Sequence, residues 1–198
     1  MARRSVVGLE RHGKNGMGGV MKILNLYYSA TGNTEKIARH IAETLEREGH
    51  AVDTLKIAEG MEVELFDYDL VCAGSGVYEW LPGKPVVKVF GELRKKYFQA
   101  GRLKPASPRV PGKKAVVYVT YGGVHTGVNE AVPAAKYMAQ LFDHLGFDLL
   151  GEWYFVGEYK PEGFQEFNVN GRLGDIRGRP NADDLRAVAE LVKGALGM

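Results

Sequence analysis

The chain has 198 residues, 45% of them hydrophobic, with a formal net charge of +2. That content excludes an intrinsically disordered chain, and the length suits one α/β domain with a proper core. No uninterrupted apolar run approaches the ~20 residues of a membrane span, and the slight basicity sits in residues 1–20, where Arg3, Arg4, Arg11 and Lys14 face only Glu10. Residues 21–198 therefore carry −1, which argues against a nucleic-acid surface.

Residues 1–20 show no helical or strand period and hold Gly8, Gly13, Gly16, Gly18 and Gly19. They read as a disordered tail ahead of one domain at 21–198, with Met17 or Met21 as candidate starts. Arg3-Arg4 lacks the apolar core of an export signal, because Glu10 and Arg11 interrupt it. Gly8 to Lys14 nearly spells a Walker loop, but Asn15 stands where Ser or Thr is needed.

From Met21 the pattern alternates strand and helix. Ile23–Tyr28 is the first strand, and Asn33–Glu48 a helix with Ile37, Ile41 and Leu45 on one face, ended by Gly49. Val52–Ile57 is a polar strand suited to a sheet edge. Leu70–Gly74 is a buried strand. Pro82 to Phe98 is mostly helical, with Val86, Phe90, Leu93 and Tyr97 inward. After a loop at Ala100–Gly112 come a strand at Ala115–Thr120, a helix at Ala131–Leu145 and a strand at Phe147–Val156. A long loop, Gly157 to Pro180, leads to a last helix with Asn181 as N-cap and Leu185, Val188, Ala189, Val192 and Leu196 on its apolar face. Such alternation predicts a doubly wound α/β fold, a five-stranded parallel sheet with helices on both faces.

Between the first strand and first helix lies Tyr28-Ser29-Ala30-Thr31-Gly32-Asn33-Thr34. A strand turning tightly into a helix presents free N–H groups and the positive end of the helix dipole, which together bind phosphate. Ser29, Thr31 and Thr34 add hydroxyls, Gly32 lets backbone approach, and no Lys or Arg lies in the turn. A phosphate here would be held by neutral groups and not transferred.

Two further strand-end loops are unusual: Gly74-Ser75-Gly76-Val77-Tyr78-Glu79-Trp80, and Thr120-Tyr121-Gly122-Gly123-Val124-His125-Thr126-Gly127. In a doubly wound sheet, ligands bind beyond the carboxyl ends of the strands where the strand order reverses. Glycines there admit a flat ring and aromatics stack on it.

The Ser29–Thr34 motif resembles the phosphate loop of the flavodoxins. The resemblance implies strand order 2-1-3-4-5 and FMN as cofactor, with Ser29, Thr31, Asn33 and Thr34, joined by Ala30 and Gly32, around its phosphate. The other two loops are similar to the flavin-ring loops of that family. Ser75, Gly76, Val77, Tyr78 and Trp80 then fall on one side of the ring, and Thr120, Tyr121, Gly122, Gly123 and His125 on the other. Tyr78 or Trp80 would cover one ring face and Tyr121 the other. His125 is open between a proton donor, a substrate-facing group and a surface residue. The implied activity is electron transfer through FMN with a redox partner protein. An alternative is an FMN-dependent reductase using NAD(P)H and a small acceptor such as a quinone. A third is a non-enzymatic phosphate- or nucleotide-sensing module. The near-neutral charge departs from the acidic docking face of carrier flavodoxins.

Other chemistries fail on spacing. Cys72 is followed six residues later by Tyr78, not the Arg of a low-molecular-weight tyrosine phosphatase, and no acidic pair follows the first strand as in a receiver domain. Gly74 and Gly76 lead to Glu79 where a dinucleotide fingerprint needs Gly. His40, His50 and His144 lack metal spacing, and one cysteine can form neither an internal disulfide nor an iron–sulfur site. Expected are a reducing cytoplasmic setting, no metal and no nucleic-acid partner; the 157–180 loop is open between the wall of an acceptor pocket, a homo-oligomer contact and a surface connection.

Overall fold

The computed structural model describes residues 19–197, so the expectation for the tail lies almost wholly outside the described residues. The strands are β1 (Lys22–Tyr28), β2 (Ala51–Lys56), β3 (Leu70–Tyr78), β4 (Leu81–Pro82), β5 (Lys114–Tyr121) and β6 (Asp148–Val156). The helices are α1 (Asn33–Arg47), α2 (Lys84–Gln99), α3 (Val132–His144), α4 (Phe167–Asn170) and α5 (Ala182–Leu196). The parallel strands run β2-β1-β3-β5-β6, and the two-residue β4 pairs antiparallel with β3. Without β4 this is the expected 2-1-3-4-5 order. The order reverses between β1 and β3, so the crevice at their carboxyl ends is the predicted ligand position.

Strand periodicity decides which helix each residue meets. On β1, Ile23 and Tyr27 pack with Ile37 and Ile41 of α1 and Val188 and Val192 of α5. The alternate Leu24 and Leu26 pack with Val86, Val89 and Phe90 of α2 and Met138 and Phe142 of α3. A period of two therefore builds both cores at once. β2 is mostly exposed, as its polar sequence requires at an edge.

One buried polar chain runs through the α1 face. Tyr118 on β5 is paired with Gly74 of β3. Its ring crosses Gly74, where an added Cβ would stand 2.1 Å from the ring. The Tyr118 hydroxyl then donates to Asn25 Oδ1 of β1 at 2.8 Å, and Asn25 Nδ2 donates to the Ala38 carbonyl of α1 at 2.8 Å. Three strands and the first helix are thereby held in one register directly below the strand ends.

Two segments differ from the expectation. β3 continues four residues past Gly74, to Tyr78, and turns back through Glu79 and Trp80, whose φ values are 49° and 66°. Such a turn normally takes Asn or Gly, so its residues give no sequence signal. The 157–180 loop also contains the short helix α4. The N-cap of α5 is as expected. Asn181 Oδ1 accepts from the N–H groups of Asp183 and Asp184, and the Asp184 carboxylate accepts from Asn181 N–H. Replacing Asn181 by Ala is expected to cost about 1 kcal/mol, read as a lower thermal midpoint with unchanged far-UV dichroism.

Candidate functional site

The turn after β1 is arranged as an anion cradle. Gly32 adopts φ 95°, a conformation that a side chain would strain, and precedes α1 as its N-cap. Its N–H donates to Ser29 Oγ at 3.0 Å, so the Ser29 hydroxyl keeps its own hydrogen. The first helical bond runs from Lys36 N–H to the Gly32 carbonyl. The N–H groups of Asn33, Thr34 and Glu35 precede it, and among the described residues no side chain caps this helix.

Thr34 and Thr120 tie two strand ends together. Their Oγ1 atoms lie 2.7 Å apart, with Thr34 1% and Thr120 5% exposed. Two hydroxyls carry two hydrogens and this bond uses one, which leaves one donor at the joint.

A cavity of about 250 Å3 opens above this joint. Ser29, Thr31, Asn33 and Thr34 line it from the first loop, Gly76, Val77 and Tyr78 from β3, and Thr120, Tyr121 and Gly122 from the end of β5. The three segments singled out from sequence thus converge. The Tyr78 ring lies over Gly76, where an added Cβ would stand 3.0–3.2 Å from it. Burial raises the Tyr78 phenol, and the Ala30 backbone N–H partly offsets that.

Other expected residues are engaged differently. Ser75 is fully buried; its hydroxyl donates to the Gly76 carbonyl and accepts from Gly83 N–H, so it braces the β3–β4 hairpin. Ala30 and Gly32 form the turn without lining the cavity, and Gly123 stands behind Gly122 with φ 59°. Trp80 projects from the hairpin tip, 62% exposed and outside the cavity lining. His125 also lies off the cavity: its N–H, with that of Thr126, donates to Glu130, and its ring meets Phe167 at 6.5 Å. Asn33 lines the cavity but is committed, since Nδ2 donates to the Glu158 carbonyl at 2.8 Å.

A fourth wall comes from the start of the 157–180 loop, for which a pocket wall is one of the three readings open from sequence. The segment after β6 contributes Gly157, Glu158, Tyr159, Lys160, Pro161 and Phe164. The Tyr159 ring lies against Gly122, where an added Cβ would be 2.1 Å from it. The sequence signal was present: a glycine, an aromatic and two charged residues, Gly157-Glu158-Tyr159-Lys160, directly follow a strand. Lys160 also brings a cation to a site whose first loop has none.

Glu158 anchors this wall. Its carboxylate pairs with Lys160 and accepts from Gly178 N–H at 2.7 Å. The Lys160 hydrogen bond, helped by Gly178, holds its pKa below 4.5 despite partial desolvation. A depressed folded-state pKa gives stability that is present above the unfolded value and lost as pH falls through the folded one. The thermal midpoint of Glu158→Gln is therefore expected to lie below wild type at pH 7, with the gap closing as pH falls below 4.5. An equal gap at pH 3 would contradict this role.

Residues 24–88 match the family model described as the flavodoxin domain. Among solved structures, oxidised Flavodoxin 2 from Bacillus cereus is 20% identical with a TM-score of 0.61, covering 89% of this chain and 98% of that one. Oxidised Flavodoxin 1 from the same organism is 16% identical, TM-score 0.61, covering 89% and 97%. The flavodoxin, WrbA-like protein of Agrobacterium tumefaciens is 15% identical, TM-score 0.54, covering 89% and 98%. No curated protein sequence matches the chain. The fold is flavodoxin-like, and the resemblance seen in the Ser29–Thr34 turn extends over the matched residues. Among the described residues no helix is long and apolar enough to cross a membrane.

Proposed function

We propose that this protein binds FMN across the carboxyl ends of its central strands and serves as an electron-transfer protein. The observation that carries the reading is the meeting of an uncapped helix N-terminus with the backbone of Gly76 and Gly122 in one cavity. The donors suit the group. Free N–H groups of Asn33–Glu35, the Ser29 and Thr31 hydroxyls and the spare hydrogen of the Thr34–Thr120 pair can hold a phosphate dianion. Gly76 to Tyr78 and Thr120 to Gly122 offer backbone groups to a polar ring edge, beside aromatic faces. Bound FMN supplies one- and two-electron chemistry. The wall at 157–164 narrows solvent access to it.

A second reading is an FMN-dependent NAD(P)H:quinone-type oxidoreductase. A neighbouring cavity of about 500 Å3 favours it, walled by Tyr28, Leu81, Pro82, Lys84 and Pro85 and sharing Tyr78 with the first. Such a space adjoining the cofactor site suits a flat acceptor. The named flavodoxins among the structural neighbours favour the carrier. Cys72 is buried and its thiol is pushed up to about 12 by burial, so it is inert and compatible with a reducing cytoplasm.

The deciding experiment saturates the purified protein with FMN and adds NADH or NADPH without oxygen. The carrier is expected to hold flavin that bleaches only with a partner reductase. Direct bleaching supports the reductase. Absence of flavin binding rejects both and leaves a phosphate- or nucleotide-sensing module.

A further inference from the structure

We propose that Tyr159, positioned by the buried side chain of Asn168, supplies the wall against which a planar conjugated ring packs in this site. The inference rests on the FMN reading and names a residue outside the three strand-end loops. From sequence, Tyr121 stands as the second ring face. Tyr159 also lines the cavity and covers the Gly122 backbone, opposite the end where Tyr78 covers Gly76.

The Tyr159 ring is backed on the side of the loop. Phe164 lies nearly parallel to it at 6.1 Å and 18°, and Phe167 meets it edge-on at 5.8 Å and 73°. Phe164 and Phe167 touch each other at 5.6 Å, closing a three-ring cluster. Aromatic pairs in these arrangements attract beyond their burial.

Two side chains hold its backbone: Gln165, exposed, donates Nε2 to the Tyr159 carbonyl at 3.1 Å, and the buried Asn168 engages both backbone groups. Asn168 is 0% exposed, and its Oδ1 accepts from Tyr159 N–H at 2.7 Å while its Nδ2 donates to the Tyr159 carbonyl at 2.9 Å. The Asn168 carbonyl accepts from Ile176 N–H at 2.8 Å, which ties the far end of the loop to the same point. Burying an amide is costly unless its groups are paired. Here both amide atoms serve the backbone of one residue, as a neighbouring strand would. The chain thus extends the sheet's control past the end of β6 and presents a pre-set aromatic face, which lowers the ordering cost of binding.

The cradle offers polar donors suited to a phosphate, and the Tyr159 ring offers an aromatic face suited to a flat ring, within one cavity. The ligand class is therefore a flat heteroaromatic carrying a phosphate tail. The test titrates the full chain with FMN and with riboflavin, following affinity and flavin fluorescence. Tyr159→Ala is expected to weaken both ligands about tenfold and to raise bound-flavin fluorescence, with Tyr159→Phe restoring both. Asn168→Ala is expected to reproduce the fluorescence change with Tyr159 still present. Tyr159→Leu, judged beside far-UV dichroism, guards against a folding defect.

Wild-type protein that binds FMN while Tyr159→Ala and Tyr159→Leu match it in affinity and fluorescence overturns the Tyr159 assignment alone. Asn168→Ala that lowers the melting temperature but leaves the bound-flavin fluorescence unchanged overturns the positioning role. Wild-type protein that binds no flavin overturns the FMN reading and this inference together.

Discussion

Gly74→Ala is expected to lower the unfolding free energy by about 2–5 kcal/mol, combining overpacking with a broken buried hydrogen bond. The new methyl would stand 2.1 Å from Cε2 and Cζ of Tyr118, whose ring is fully buried. The ring cannot yield without leaving Asn25, and Asn25 also holds α1 through Ala38. Backbone is not the obstacle, because Gly74 is not among the glycines with positive φ. Urea unfolding followed by dichroism measures the effect as a lower midpoint. A second change, Tyr118→Leu, removes the clash, so adding Ala at 74 to that variant should cost far less than adding it to wild type. Equal costs in the two backgrounds would show that the Tyr118 ring does not lie across Gly74.

Thr34→Val is expected to weaken FMN by roughly 10- to 150-fold, the ~1.5–3 kcal/mol of a hydrogen bond to a charged group. Valine keeps the shape of the buried side chain, so α1 should still dock. It removes either the hydroxyl that faces the phosphate or the partner that orients Thr120, since the two oxygens share one bond at 2.7 Å. Thr120→Val should therefore weaken FMN as well. Riboflavin, lacking the phosphate, should bind Thr34→Val and wild type alike. Unchanged FMN affinity in both variants would remove the hydroxyl pair from the site.

Near neutrality of the folded part bears on partners more than on fold. A carrier that docks through an acidic face needs a strong field, and residues 21–198 carry only −1. Exposed Trp80 and Leu81 at the hairpin tip, beside the second cavity, make an apolar rim there. Weak salt dependence of electron transfer to a partner would fit such a rim; a steep one would point to charge.

Much of this protein is written in short-range order. Alternating strand and helix periods, the polar β2 and the Ser29–Thr34 turn are each legible within a dozen residues, and they sufficed for the elements, the edge strand and the candidate phosphate loop, while the sheet order came from the flavodoxin resemblance. Asn181 was legible for the same reason, since a cap bonds to N–H groups two and three residues ahead. What adjacency could not supply is direction. Trp80 and His125 sit in the right loops, but the hairpin turn at Glu79 and the Glu130 bonds point them away from the cavity. Nor could adjacency pair Asn25 with Tyr118, 93 residues apart, or Asn33 with Glu158, 125 apart. Those contacts exist only once parallel strands stack side by side and bring their ends to one edge. The primary chain thus determined which elements form and where helix N–H groups are left free, because those depend on local backbone geometry. The tertiary fold alone decided which side chains enclose the cavity, because that depends on crossovers between distant strands.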